Sequence, residues 1–201
     1  MEHIFSKENI SDWLAHYGMT IFIGAALSVI LCSPERNGII AILGIVIAYF
    51  WAYFAHRLIH VLPTEGPLKY LNTHWIFHHQ PLKILDRRVE LFFEFINDMC
   101  MSLSLLLIQY LSGVWIVPTS VIVFHALWYS SVHIFNYSIV GSTIHRDHHA
   151  HVYKNFGPDV IDNLFGTNHD NIKEDIVYLT PNAVLAFAAT LLLKQGFQWK
   201  D

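Results

Sequence analysis

The chain has 201 residues, enough for one domain, and 54% of them are hydrophobic while 14% carry a formal charge, well below the roughly one quarter charged in soluble domains. The net charge of −4 is small and of the wrong sign for nucleic-acid binding. Composition points to lipid, and the abnormal feature is histidine, with 14 of them against 12 Lys plus Arg.

In chain order, residues 1–12 are polar and mixed in charge, without the basic n-region of a cleavable signal peptide. Trp13 to Pro34 contains no Asp, Glu, Lys or Arg, and is long enough to cross about 30 Å of hydrocarbon. After a polar turn at Pro34–Asn37, a second uncharged run from Asn37 to Ala55 leads straight into HRLIH, His56 to His60. Residues 61–89 hold Pro63, Gly66, Pro67, Pro81 and a second cluster, HWIFHH at His74 to His79, and read as a membrane-surface loop with short helices. Glu90, Glu94 and Asp98 follow at four-residue spacing, and then Met99 to Ile144 carries no formal charge. A run that long must fold back on itself. Ser112, Gly113 and Pro118 mark its tip, between a helix of roughly 90–111 and one of roughly 118–137. The third cluster, HRDHHAH, occupies His145 to His151. Ile176 to Leu193 is again uncharged, with Pro181 near its expected helix start, and spanning, re-entrant and interfacial readings all fit it. Cys32 and Cys100 stand alone in apolar runs and read as core or lipid-facing thiols.

The expected architecture is therefore an all-α integral membrane protein, residues 1–201 as one domain, with about four transmembrane helices in two hairpins. Two crossings before HRLIH and two more before HRDHH bring all three clusters to one side. Arg57, Lys69, Lys83, Arg87, Arg88, Arg146, Lys154 and Lys173 fall on that side and only Arg36 on the other, which makes the histidine side cytoplasmic. His56 with His60, and His74 with His78, stand at i and i+4; His145, His148 and His149 repeat the pattern, so each cluster presents two or three imidazoles from one helical face. With His79 they supply eight neutral imidazoles, more than one tetrahedral ion accepts, and two metals follow. Spacing does not choose among Fe, Zn, Cu and Ni. The reading fails if His148 lies on the opposite side from His60 and His78, or more than about 10 Å from both, because ligand nitrogens stand about 2 Å from a metal.

HRLIH, HWIFHH and HRDHH resemble the HxxxH, HxxxHH and HxxHH boxes of the fatty acid hydroxylase/sterol desaturase superfamily of membrane-bound di-iron oxygenases, over roughly residues 40–170. KNFGPDVIDNLFGT, Lys154 to Thr167, resembles the segment that follows the last box in that family. The resemblance implies a site of two iron ions, with zinc as a possible substitute in purified protein, that uses O2 to hydroxylate or desaturate a sterol, fatty acyl or sphingoid chain. Electrons would come from a separate donor such as cytochrome b5 and an NAD(P)H reductase, and the location would be the endoplasmic reticulum in a eukaryote or the inner membrane in a bacterium. The extra His151 and the Asn-Phe-Gly-Pro run look similar to the sterol C4-methyl oxidase branch. Carotenoid hydroxylation and ether-lipid cleavage are other reactions of di-metal membrane enzymes, and a non-catalytic histidine-rich metal-binding or scaffold protein is the reading from a different class. The family adds histidine ligands from the helix before the last box, where His125 and His133 stand here, although the residue four after His125 is Tyr129. Glu94, Asp98, His151 and Asp162, with Asp147 behind them, are candidates to orient ligand histidines, since a ligating imidazole usually donates its second N–H to a carboxylate or carbonyl. The acidic stripe of Glu90, Glu94 and Asp98 also fits a plain interfacial face. His3, His16 and His169 read as surface or interfacial residues, and Asn155, Gly157 and Gly166 as turn-formers.

Overall fold

The structure, a computed structural model, describes residues 7–32, 37–79, 86–169, 176–199 and 201. The expected turn residues Pro34 to Arg36, and His3, Pro81, Lys83 and Lys173, lie outside the described residues. The helices are α1 (Lys7–Cys32), α2 (Gly38–His60), α3 (Arg87–Ser112), α4 (Thr119–Val132), α5 (Thr143–Ala150), α6 (Asp159–Phe165) and α7 (Ile176–Gly196), with no strand among the described residues. Asn37 caps α2 by accepting from the Ile39 N–H at 2.8 Å, and Asp86 caps α3 by accepting from Arg88 at the same distance. Gly113 ends α3 with a left-handed φ of 72°, a conformation that glycine adopts without steric cost.

Three helices, α1 from Ile10 onward, α2 and α3, are long and apolar enough to cross a membrane. Their outward faces are apolar, with Phe22, Leu43 and Leu111 more than half exposed, while Ser28, Gln109, Ser130 and Thr190 are buried. That inversion suits a lipid surround, where outward apolar groups cost nothing and inward polar groups must find partners. Gln109 illustrates the second half of the rule. Its side-chain oxygen accepts from Ile116 N–H at 2.9 Å and Val117 N–H at 2.7 Å, and its amide donates to the Val117 carbonyl at 2.9 Å. One side chain thus satisfies the backbone of the α3–α4 turn. Gln109→Leu keeps the volume and strands those three groups, so the detergent-solubilised protein should lose several kcal/mol at about 1–3 kcal/mol per unsatisfied group. Unchanged thermal unfolding in that variant would exclude this role.

α4 is the central helix. Most of its residues are buried, from Ser120 through Phe124 and Trp128 to Val132, because α1, α2, α3 and α7 all pack on it. The close approaches are made at glycine: a Cβ on Gly24 would stand 2.9 Å from the Trp128 ring, and one on Gly44 would stand 3.1 Å from Pro118. The single helix expected over 118–137 is α-helical only to Val132; His133–Ile139 widens into a π-helix. The second cluster is built in the same way, with Trp75–His79 forming a π-helical turn after the 3-10 turn Pro67–Leu71. α7 begins several residues before the expected start, so Pro181 falls inside it and removes one helical hydrogen bond. It runs the length of the bundle. Trp128 donates to the Leu179 carbonyl at 3.0 Å, and at the other end Lys194 donates to the Leu31 carbonyl at 2.6 Å and pairs with Asp201 at 2.8 Å.

The candidate metal centre

The C-terminal end of α2, the π-helical turn after it, the first turns of α3, the end of α4 and all of α5 meet at one end of the bundle. Nine histidines pack there in one contiguous cluster. His148, from the third motif, lies with ring centroids 5.1 Å from His56 and 4.9 Å from His60, both from the first, and 4.9 Å from His79, from the second. His78 likewise lies 4.7 Å from His145 and from His133. The separation that the two-metal reading requires of His148 is met for His60.

Two buried groups of potential ligand atoms emerge, each with all its atoms within 4.8 Å of one another: His56, His60, His74 and His148, and His78, Glu94, His133 and His145. His79 links them, forming a third overlapping set with His74 and His78, and His149 packs over it at 4.6 Å between ring centroids. Nε2 of His56 stands 3.0 Å from Nε2 of both His74 and His60, and Nε2 of His149 stands 2.9 Å from that of His145. Two nitrogens held about 2.1 Å from a common ion at a right angle lie about 3.0 Å apart. The residues fit a metal by a second test as well. Nε2 of His78, His79 and His148 is buried with no hydrogen-bond partner, a condition costing about 1–3 kcal/mol per group that a shared cation relieves.

The opposite ring nitrogens are held by the protein. His56 Nδ1 donates to the Phe156 carbonyl and His148 Nδ1 to the Lys154 carbonyl, which leaves each Nε2 lone pair available. Asn97 contacts Nδ1 of His74 at 3.0 Å, and Glu94 contacts Nδ1 of His78 at 2.8 Å. The loop that supplies the two carbonyls is itself fixed by Asp162, which accepts from the Phe156 and Gly157 N–H groups and from the Thr167 hydroxyl. Asn155 adopts a left-handed φ of 51° in that loop and bonds the Ile144 carbonyl and the His169 N–H.

Several expected residues stand elsewhere. His125 is outside both groups, two turns deeper on α4, where its Nδ1 meets the Ser102 hydroxyl at 3.0 Å. His151 is exposed and stacks on His169 at 4.3 Å. Glu90 faces Arg87 at 3.4 Å, and Asp147 stands 3.9 Å from His169. Asp98 is fully buried, with the His133 ring 3.7 Å away. Asn97 and Ser138, which donates to Glu94, were not singled out from sequence; Asn97 could have been found from its place three residues after Glu94, on the face turned to the second cluster.

Burial holds His74, His145 and His148 well below the usual imidazole range, with neighbouring histidines adding to the effect, and brings His78 down to about 3 despite its bond to Glu94. These rings are neutral at pH 7, as ligands must be. Between about pH 6.5 and 3 the unfolded chain takes up protons that the folded metal-free protein refuses, so stability falls as pH falls, by about 1.4 kcal/mol per pH unit for each such ring. Asp162, pushed up to about 7 by burial against the pull of its hydrogen bonds, works the other way: the folded carboxyl takes up its proton first as pH drops. One carboxyl against four rings leaves the net slope with the histidines. Thermal unfolding of metal-free protein should drop steadily from pH 7 to 5; a flat profile would contradict the assignment.

Residues 41–167, more than half of the chain, match the family model described as Fatty acid hydroxylase, and the chain belongs to that family. The matched segment contains all three histidine clusters and the Asp162 loop, and leaves out α1 and α7. No curated protein and no solved structure matches the chain.

Proposed function

We propose that this protein is a membrane lipid oxygenase that holds two iron ions in the two histidine groups and uses O2 to hydroxylate or desaturate a lipid chain. The observation that supports this most is the pairing of two adjacent, buried, imidazole-rich ligand groups inside the segment matched by the fatty acid hydroxylase family. Iron bound there would supply the oxidising power for attack on an unactivated C–H bond. The protein's own share is to keep the imidazoles neutral, aim them through Phe156, Lys154, Asn97 and Glu94, and keep bulk water away from the ions. Reducing equivalents would come from a separate donor, such as cytochrome b5 with an NAD(P)H reductase. Arg57, Arg87, Arg88 and Arg146 are exposed at the histidine end, which favours a cytoplasmic face, on the endoplasmic reticulum if the source is eukaryotic.

The test is metal analysis of folded protein loaded during expression, together with lipid profiles of cells with and without the gene. Two irons per chain and one accumulated precursor in the deletion are expected. Zinc found alone calls for reconstitution with Fe2+ and a measurement of O2 consumption. Folded, fully loaded protein that binds metal but consumes no O2 with donor and lipid present would instead make the chain a metal-binding scaffold.

A further inference from the structure

We infer that the helices bundled behind the metal centre form an intramembrane binding site for a single hydrocarbon chain that ends in a neutral hydroxyl; identifying this ligand as the substrate rests on the lipid-oxygenase reading above. The site has two parts. An inner chamber of about 50 Å³ is bounded by Tyr17, His125, Trp128, Tyr129, Asp159 and Leu179. An outer groove of about 130 Å³ is bounded by Trp13, Ile21, Ala25, Ile42, Val46 and Leu164. Tyr49 and Val160 line both. At about 12 Å³ per water-sized group, the chamber holds about four such groups and the groove about ten.

The polar instruction in this site is His125. It is 1% exposed, its Nδ1 is engaged by Ser102, and its buried Nε2 has no hydrogen-bond partner in the protein. Because the Ser102 hydroxyl either donates or accepts, Nε2 can present a lone pair or an N–H, and a hydroxyl matches both. Three other polar side chains around the chamber have partners. Trp128 donates to the Leu179 carbonyl. Tyr17 bonds Asp159, and the Tyr129 hydroxyl stands 3.4 Å from both the Phe156 carbonyl and His56 Nδ1.

Charge then selects the head group. Among the described residues no Lys or Arg borders the chamber or the groove, and Asp159 is acidic. A carboxylate or phosphate would be buried without a cation, which is strongly unfavourable. An unsubstituted hydrocarbon would leave Nε2 unsatisfied. Tyr129 connects the chamber to the outer side of the first ligand group, so a chain anchored at His125 lies next to the metal centre. Much of the lining, including Trp13, Tyr17, Ala25 and Leu179, belongs to α1 and α7, outside the family-matched segment. Those walls are therefore this chain's own addition, while His125 itself lies within the matched segment.

Competition binding on full-length protein in nanodiscs tests the site, with radiolabelled hexadecan-1-ol as probe and hexadecan-1-ol, hexadecanoate and hexadecane as competitors. The alcohol should compete at least tenfold better than the other two. His125→Phe should erase that preference, and Ala25→Phe, at the half-buried wall of the groove, should weaken alcohol binding tenfold or more. Equal competition by all three in the wild type, a preference retained in His125→Phe, or undiminished binding in Ala25→Phe would each overturn the proposal. If His125→Phe does not fold, Ala25→Phe decides. Measuring metal-free protein separates the two readings: the alcohol preference should survive metal removal, whereas failure of the oxygenase reading would appear as absent iron or O2 consumption with lipid binding intact.

Discussion

Asp162→Asn should cost this protein one of the two metals proposed for it while leaving it folded. The carboxylate accepts from three donors at once, Phe156 N–H, Gly157 N–H and the Thr167 hydroxyl. An asparagine offers one oxygen, and its amide nitrogen would face a backbone N–H, so at least one of these bonds is replaced by a repulsive contact. The charge matters less than the acceptor count, because burial already raises the carboxyl to about 7. What the loop loses is its shape. Phe156 and Lys154 are the residues whose carbonyls hold His56 and His148, and both histidines belong to the same ligand group. Loss of such outer support typically costs 10–100-fold in metal affinity. His78, in the other group, is held by Glu94 and not by this loop, so metal per chain should fall toward one during dialysis against a chelator. Two metals retained as tightly as in the wild type would remove Asp162 from this role. Thr167→Val, which deletes the 2.6 Å bond to Asp162 together with the 3.1 Å contact with the Tyr53 hydroxyl, should give a smaller effect in the same direction.

The same loop shows how far the sequence could be read. The histidine clusters were legible because spacing on a helix dictates which side chains share a face, and uncharged runs dictate how often the chain turns back. Parity alone brought His56, His78 and His148 to one end of the bundle. The division into two groups was not legible, since it depends on π-helical turns at Trp75–His79 and His133–Ile139 that rotate successive residues away from α-helical positions. His125 shares a helix with His133, yet two turns along α4 carry it about 12 Å away, to a contact with Ser102. The Asn-Phe-Gly-Pro run, which looked like a mark of one sterol-oxidising branch, has an architectural task here. Asn155 shapes the loop and Phe156 lends its carbonyl to His56. Backbone carbonyls, which orient two of the ligands, leave no trace in a sequence.

For the second ligand group the corresponding residue is Glu94, and its removal should have the larger consequence. The carboxylate stands 2.8 Å from Nδ1 of His78 and 3.4 Å from Nε2 of His133, and it accepts from Ser138, so it joins the π-helical turn Trp75–His79 to the π-helix His133–Ile139. It is 4% exposed. Glu94→Ala leaves two buried imidazoles without their shared acceptor, which should cost about a hundredfold or more in affinity at this group and most of the O2-dependent activity. Glu94→Gln separates the possible roles. If the carboxylate only aims His78, the amide oxygen can still accept from Nδ1 and the loss should stay near tenfold; if it binds metal directly, the amide should fail almost as badly as alanine. Asp98 provides the contrast. It is equally buried but no closer than 3.7 Å to His133, beyond hydrogen-bonding distance, so its influence is through charge alone and Asp98→Asn should weaken metal binding less than either Glu94 variant. Metal titrations of Glu94→Gln, Glu94→Ala and Asp98→Asn should therefore rank in that physical order, with alanine at 94 worst and Asn at 98 mildest. Wild-type metal content and activity in a chain carrying alanine at both positions would eliminate the acidic face of α3 from the site altogether.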